Sequence, residues 1–338
     1  MTRPPRLSAA FPLALLAAGC LARKPAAPEP APAPRLERSL PVSGGNPRLL
    51  PFITGGANSG WALVTASPGT LAVFSAEGVA APALAVDAPA TGEWLAAEGG
   101  YYGAAGSQVR RVTPEGETRI ETGARIRALA LGPAGAPWLL APAGARPLLE
   151  PDATPRPADA AGGERDELWL LTDAAFTRIR DGARVAPAPP GDWAGAVPGG
   201  FLARAGGRLR YYAAARGKPR WRRDCPVAPL WAGGLGDDIY VVTGDGLLHV
   251  LRERSGFERA TADLGQRGRI YGAPWAGGIL LAASEGRRML WVAPGRPVAT
   301  IPLPGGGRIA GLVAAGRRVA LLTYHSGESY TLDIYTPG

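Results

Sequence analysis

The sequence predicts an all-β fold, a β-propeller of about eight four-stranded antiparallel blades, with seven as the alternative count. The ring is expected to close through an N-terminal strand that pairs into the last blade. Three observations predict it. Residues 229–264 divide into four short strand-like pieces, similar units recur about every 30–40 residues, and the last unit lacks an outer piece that the beginning of the chain can supply.

In the unit at 229–264, residues 230–235 form an apolar first strand and 239–243 a run of β-branched and aromatic residues. An alternating strand at 247–253 and an outer strand at 257–264 complete it. Gly244-Asp245-Gly246 joins the middle two, and Asp-Gly between apolar runs is a strong hairpin signal. Equivalent second strands open at Trp61, Tyr101, Trp138, Leu168, Phe201, Ile239, Ile279 and Val319. Alternating third strands follow at 71–74, 108–112, 176–179, 208–212, 247–251, 289–292 and 330–335, and outer strands at 118–121, 257–264 and 298–303. The last unit runs out at Thr336. The segment from Ser39, SLPVSGG, matches TIPLPGG from Thr300 in pattern, which makes 38–42 the missing outer strand. The third and fourth units are the weakest, and residues 151–166, small, Pro-rich and charged, are expected to be a long exposed loop. No stretch of the folded part reads as an amphipathic helix.

Hydrophobic residues make up 46% of the chain, ample for a core, and the 48 glycines and 35 prolines mostly punctuate apolar runs as turns. The formal net charge is +9, carried almost wholly by arginine, since Lys24 and Lys218 are the lysines. Such a balance favours anionic surfaces or an acidic partner.

Before the repeats, Arg3 and Arg6 precede an apolar run at 7–18 and small residues ahead of Cys20, the layout of an export signal too short to span a bilayer. Leu16-Ala17-Ala18-Gly19-Cys20 resembles the bacterial lipoprotein signal, with Ala17 where Leu is most usual. The resemblance implies a signal peptide at 1–19, acylation of Cys20 and, from Leu21, delivery to the outer membrane, with the protein facing the periplasm. Several acyl chains make such an anchor stable. Residues 20–35 then form a Pro/Ala-rich tether and 36–338 the propeller. Export argues against nucleic acid as a partner.

The run Asp238-Ile-Tyr-Val-Val-Thr-Gly-Asp-Gly-Leu-Leu-His-Val-Leu resembles the repeat of quinoprotein-like (PQQ-like, WD40-like) propellers. With the lipoprotein signal and the ring plan, the chain is similar to the propeller subunit of the outer-membrane β-barrel assembly machinery. That resemblance implies a monomeric, non-catalytic scaffold for protein partners in the cell envelope.

Chemistry-bearing residues are sparse. His249 beside Asp245 reads as a blade-face histidine next to a turn aspartate, and His325-Ser326-Gly327-Glu328 spans a hairpin whose adjacent side chains cannot face one another for proton transfer. No Cys/His group has metal-ligand spacing, and Asp237-Asp238 lacks an oxygen-rich loop, so no metal and no cofactor are expected. Gly305-Gly306-Gly307 is a turn without a following helix. Cys225 reads as a structural thiol. One stretch stands out. Arg208, Arg210, Tyr211, Tyr212, Arg216, Lys218, Arg220, Trp221, Arg222 and Arg223 interleave cations with aromatics, a candidate patch for an acidic partner or anionic envelope polymer. A hydrolase or lyase working in the central channel is the third reading.

Overall fold

The computed structural model describes residues 34–337 apart from 44, 55–56, 67–68, 76–83, 86–92, 99, 114, 163–167, 173–174, 186–192, 198, 214–217, 266–267, 304–306 and 328. The described residues form eight antiparallel sheets, each a blade; seven are built of consecutive strands, and the last adds the N-terminal strand to the final three. The lead blade shows how the pattern dictates the geometry. Its strands are Pro229–Leu235, Asp238–Thr243, Leu247–Arg252 and Glu258–Asp263, paired in that order. Asp238–Thr243 is buried along its length because a central strand packs both faces on neighbouring blades. The hairpin after it turns at Gly246, whose φ of +86° suits a residue without a Cβ.

Every second strand expected from the sequence lies in that position of its blade, from Ala57–Ala66 to Arg318–Tyr324. Among the described residues, eight clusters of buried apolar side chains hold the blades together, and each cluster joins one blade to the next. One of them joins Trp61 and Leu63 of the first blade to Leu322, Leu332 and Ile334 of the last, so the blades form a ring. Aromatic contacts tighten several of these interfaces. Phe201 stacks on Phe176 at 3.8 Å and on Tyr212 at 4.9 Å. The indole of Trp275 donates to the Arg317 carbonyl at 2.9 Å, linking the seventh blade to the eighth. Near the ring axis, Trp231 lies flat against two glycines. A Cβ at Gly233 or Gly272 would come 2.5 or 2.6 Å from its ring, so both positions need glycine.

Closure follows the expected route. Pro34–Val42 pairs antiparallel with Tyr330–Pro337 as the outer strand of the last blade. The Ser39 hydroxyl donates to Asp333 at 2.5 Å, and Arg318 forks onto Glu37 at 2.7 and 3.1 Å. Leu40 and Val42 cover the cluster between the last and first blades. The match of SLPVSGG to TIPLPGG also holds, since Ala299–Pro302 is the outer strand of the seventh blade. The closing strand begins at Pro34, and so takes in residues 34–35 of the segment read as tether.

The described residues form eight blades, the expected count rather than the alternative of seven. Two differences from the sequence reading concern the weak region. The third blade has three strands rather than four, Ala128–Leu131, Pro137–Ala141 and Gly144–Pro147. Its outer position is held by a single bridge in which Ala145 and Arg156 exchange two backbone bonds of 2.8 Å. Pro155 and Pro157 flank Arg156 and carry no N–H, so the ladder cannot extend. Residues 151–166 are not wholly an exposed loop either. Ala160–Gly162 is the inner strand of the fourth blade, where small side chains suit the crowded axis, and Ala158 is buried.

Each blade's inner strand runs from the face that carries the second-to-third-strand hairpins to the opposite face. In the last blade the paired ends Pro34 and Pro337 lie at the end where Ala315 meets Arg318, the first-to-second-strand hairpin. The described chain therefore starts on the face opposite Gly244–Gly246.

Candidate functional site

The blade beginning at Trp193 is built from Trp193–Val197, Gly200–Ala205, Arg208–Ala213 and Trp221–Asp224, and it carries the Arg/aromatic stretch. Strand alternation splits that stretch in two. Leu209 pairs with Arg223 and Tyr211 with Trp221, so these four face the next blade. Arg208, Arg210, Arg222 and Asp224 point to the other side of the sheet. The aromatics are core: Tyr211 is fully buried, and Tyr212 and Trp221 are nearly so. Trp221 stacks on Tyr211 at 5.5 Å and donates its indole N–H to the Glu253 carbonyl at 2.7 Å.

Cations remain at the surface, several of them paired. Arg220 bonds Glu253 at 3.0 Å and Arg208 lies 3.6 Å from Asp224, while Lys218 and Arg222 are exposed. Arg216 and Cys20 lie outside the described residues. Alternation by two, which governs every strand, is the reason an interleaved sequence does not make an interleaved surface.

Between this blade and the next lies a cavity of about 210 Å³. Leu209, Val241 and Leu251 form its buried floor, and Asp224, Asp245 and Leu247 belong to its lining near the hairpin face. The connection at Cys225–Pro226 forms one wall. It is held from inside by Arg204, which is 8% exposed and donates to the carbonyls of Cys225 at 2.7 Å and Pro226 at 2.6 Å. The Cys225 thiol donates to the Val227 carbonyl at 3.1 Å, and burial pushes its pKa up, which suits a structural thiol.

Along the opposite wall runs a chain of polar groups. The Thr243 hydroxyl donates to Asp245 Oδ1 at 2.6 Å, and the Leu247 N–H points to the same oxygen at 3.4 Å. His249 places Nε2 at 3.3 Å from Thr243 Oγ1 and Nδ1 at 2.6 Å from Glu258 Oε1. Glu258 also accepts from Arg223 at 2.8 Å and from Thr261 at 2.8 Å. Burial alone would raise the Glu258 pKa, but the bonds from Arg223, His249 and Thr261 outweigh it and hold the carboxyl at about 2. The Asp245 carboxyl is likewise lowered, chiefly by the Thr243 hydroxyl.

A β-bulge makes this chain. The register of the outer strand shifts between Val250 and Leu251, so Leu251 pairs with Glu258 instead of Arg259. Glu258 is thereby turned to the face that carries His249, and Arg259 reaches the buried Asp238 with two bonds of 2.9 Å. Asp245 and His249, read from the sequence as a turn and a blade face, are both of those and are also joined through Thr243. The cavity and the part played by Glu258 had no sequence signal, because neither the bulge nor the neighbouring blade's wall can be read from local pattern. Among the described residues no group of three or more His, Cys, Asp or Glu side chains is placed to hold a metal ion.

No protein-family profile matches the chain, and no curated protein does. Solved structures match in fold. BamB from Moraxella catarrhalis is 11% identical with a TM-score of 0.60, over 90% of this chain and 99% of that one. The β-propeller domain of Cps50 (Swd1) from Myceliophteria thermophila is 11% identical with a TM-score of 0.55, over 90% and 100%. A catalytically inactive variant of virginiamycin B lyase from Staphylococcus aureus, solved with quinupristin, is 10% identical with a TM-score of 0.50, over 88% and 99%. At these identities the likeness is one of fold, and propellers host both binding and catalytic proteins.

Proposed function

We propose that this eight-bladed propeller is a non-catalytic scaffold, anchored by a lipid on Cys20 to the outer membrane, that binds protein partners in the periplasm. The observation that carries the reading is the match of the ring to BamB over 99% of that chain, set beside the lipoprotein-like stretch ending at Cys20. A role in outer-membrane protein biogenesis is the form of scaffolding most in keeping with that likeness. The described chain starts on the face opposite the Gly244–Gly246 hairpin. An anchor at Cys20 would then leave the hairpin face, which also bears the cavity, free for partners.

Two experiments test it. Cys20→Ser should release the protein from the outer-membrane fraction, and retention of that variant would refute the anchor. Crosslinking in membranes followed by pull-down should recover barrel-assembly components, and their consistent absence would refute the biogenesis role.

A second reading rests on the exposed cations Lys218, Arg220 and Arg222 at the rim of the fifth blade, as a contact for an anionic envelope polymer. Reversing charge at Arg220 and Arg222 should weaken binding to such a polymer and flatten its salt dependence; unchanged binding removes the reading.

A further inference from the structure

On the face that carries the second-to-third-strand hairpins, an arginine stands where the inner strand begins in three consecutive blades of the ring. Arg269 precedes Ile270–Trp275 in the seventh blade, Arg308 opens Arg308–Ala315 in the eighth, and Arg48 opens Arg48–Thr54 in the first. The backbone holds them near one another. Ser284, in the hairpin of the seventh blade, donates its N–H to the Arg269 carbonyl at 2.8 Å and accepts the Arg269 N–H on its hydroxyl at 3.1 Å. Its carbonyl accepts the N–H of Ile309, next to Arg308, at 2.8 Å. The eighth and first inner strands touch beside Arg48, since a Cβ at Gly311 would lie 2.9 Å from that of Leu49.

Alternation turns the three arginines the same way round the ring. Arg269 shares its side with Tyr271, which packs toward the eighth blade, Arg308 with Tyr330, toward the first, and Arg48 with Leu50, toward the second. All three are exposed, as is Arg287 in the hairpin of Ser284, and among the described residues none of the four is bonded to a carboxylate. The connections that join strands on this face of the three blades are residues 43–48, 67–68, 264–269, 284–287, 303–308 and 325–329. By sequence they hold five arginines, these four and Arg267, against two glutamates, Glu285 and Glu328. Arg288, farther out, is answered by Asp263 at 3.6 Å. The positive surplus is local, since the same face carries Asp159 and Asp245 over the fourth and sixth blades.

Tyrosines lie among these arginines. The Arg269 guanidinium sits over the Tyr271 ring at 5.4 Å. Tyr324 pairs directly across from Arg308 and packs on Tyr330 at 5.0 Å, and all three tyrosines are half-buried. Guanidinium forks grip carboxylates, and tyrosine rings offer flat apolar area, the combination that protein interfaces favour.

We infer that this sector of the hairpin face binds an acidic, aspartate- or glutamate-rich segment of a protein partner, with its carboxylates on Arg48, Arg269 and Arg308 and its apolar side chains on the tyrosines. The inference rests on the scaffold reading in that the partner is a protein, and it needs neither the lipid anchor nor a role in barrel assembly.

Fluorescence anisotropy of the intact protein tests it with a labelled, capped decapeptide of glutamate, tyrosine, glycine and serine, and with versions in which glutamine or lysine replaces glutamate. The glutamate peptide should bind saturably, more weakly as salt rises, and at least about tenfold more tightly than the glutamine peptide, while the lysine peptide should not bind. Arg48→Gln, Arg269→Gln and Arg308→Gln should each weaken binding about threefold, the worth of an exposed ion pair, and the triple variant by more than about tenfold. Arg254→Gln, in a hairpin on the opposite face, should leave binding unchanged. No saturable binding up to about 1 mM overturns the inference. So does equal binding of the glutamate and glutamine peptides, or binding unchanged in a triple variant of unaltered melting temperature. Inorganic tripolyphosphate binding at these arginines while the glutamate peptide does not would make the ligand a phosphate and overturn it as well. The crosslinking pull-down reads the scaffold separately: proteins recovered by it while the peptide fails to bind would overturn this inference and leave the scaffold standing.

Discussion

Removing the closing strand is the sharpest test of the ring. A chain shortened to begin at residue 43 loses the whole of Pro34–Val42, and with it the partner of Tyr330–Pro337. Leu40 and Val42 are half-buried against the cluster between the last and first blades, each worth about 1 kcal/mol. The Ser39 hydroxyl serves Asp333, which is 8% exposed, and a bond to a buried carboxylate adds about 2 kcal/mol. The Arg318 fork on Glu37 lies in solvent and adds little. The loss is on the order of 4 kcal/mol, a large share of the roughly 5–15 kcal/mol typical of a domain. At about 2 °C per kcal/mol for a domain of this size, the melting temperature should fall by roughly 8 °C. The bared edge of Tyr330–Pro337 should also promote strand pairing between molecules, visible as oligomers in size-exclusion chromatography. A shortened chain that melts within about 1 °C of the parent and elutes as a monomer would refute closure by this strand.

Other expectations follow from the interface between the fifth and sixth blades. Glu258 has its folded pKa lowered from 4.5 to about 2, so it stabilises the fold above the unfolded value and loses that contribution as pH falls from 4.5 toward 2. Glu258→Gln should therefore cost about 1–2 kcal/mol at neutral pH, after discounting for partial exposure, and flatten the fall in stability below pH 4.5 in acid-unfolding curves. Gly256 has φ of +69°, and an added Cβ would lie 2.6 Å from the Trp221 ring; Gly256→Ala should cost about 2–4 kcal/mol in denaturant titrations and shift the tryptophan emission. Arg204→Met removes the donors to two carbonyls behind Cys225 and should destabilise by about 2–4 kcal/mol, with faster reaction of Cys225 toward thiol reagents. An unchanged thiol rate would mean that the wall stands without Arg204.

The repeat was legible because each blade restates it locally. Period-two runs such as Leu247–Arg252, the Asp245-Gly246 turn and the Trp61, Tyr101 and Phe201 strands all read correctly from a few neighbouring residues. Closure was legible too, since Ser39–Val42 repeats the wording of Thr300–Leu303 at the far end of the chain. The third blade was harder, because Pro155 and Pro157 break the ladder and leave one bridge where a strand was expected. Only the aromatics of the basic stretch were misread as surface, since alternation along Arg208–Ala213 and Trp221–Asp224 sends Tyr211 and Trp221 into one interface and Tyr212 into the other, while Lys218, Arg220 and Arg222 stay exposed.

The sequence by itself thus determined the strands, their hairpins, the ring and its closing strand, because hydrophobic period and turn chemistry act over a few residues. Tertiary structure decided the site. The bulge that pairs Leu251 with Glu258 chose which carboxylate meets His249, and the approach of two blades walled a cavity between residues as distant as Leu209 and Leu251. Both depend on how sheets pack against one another, and packing is a property of the assembled ring rather than of any stretch within it.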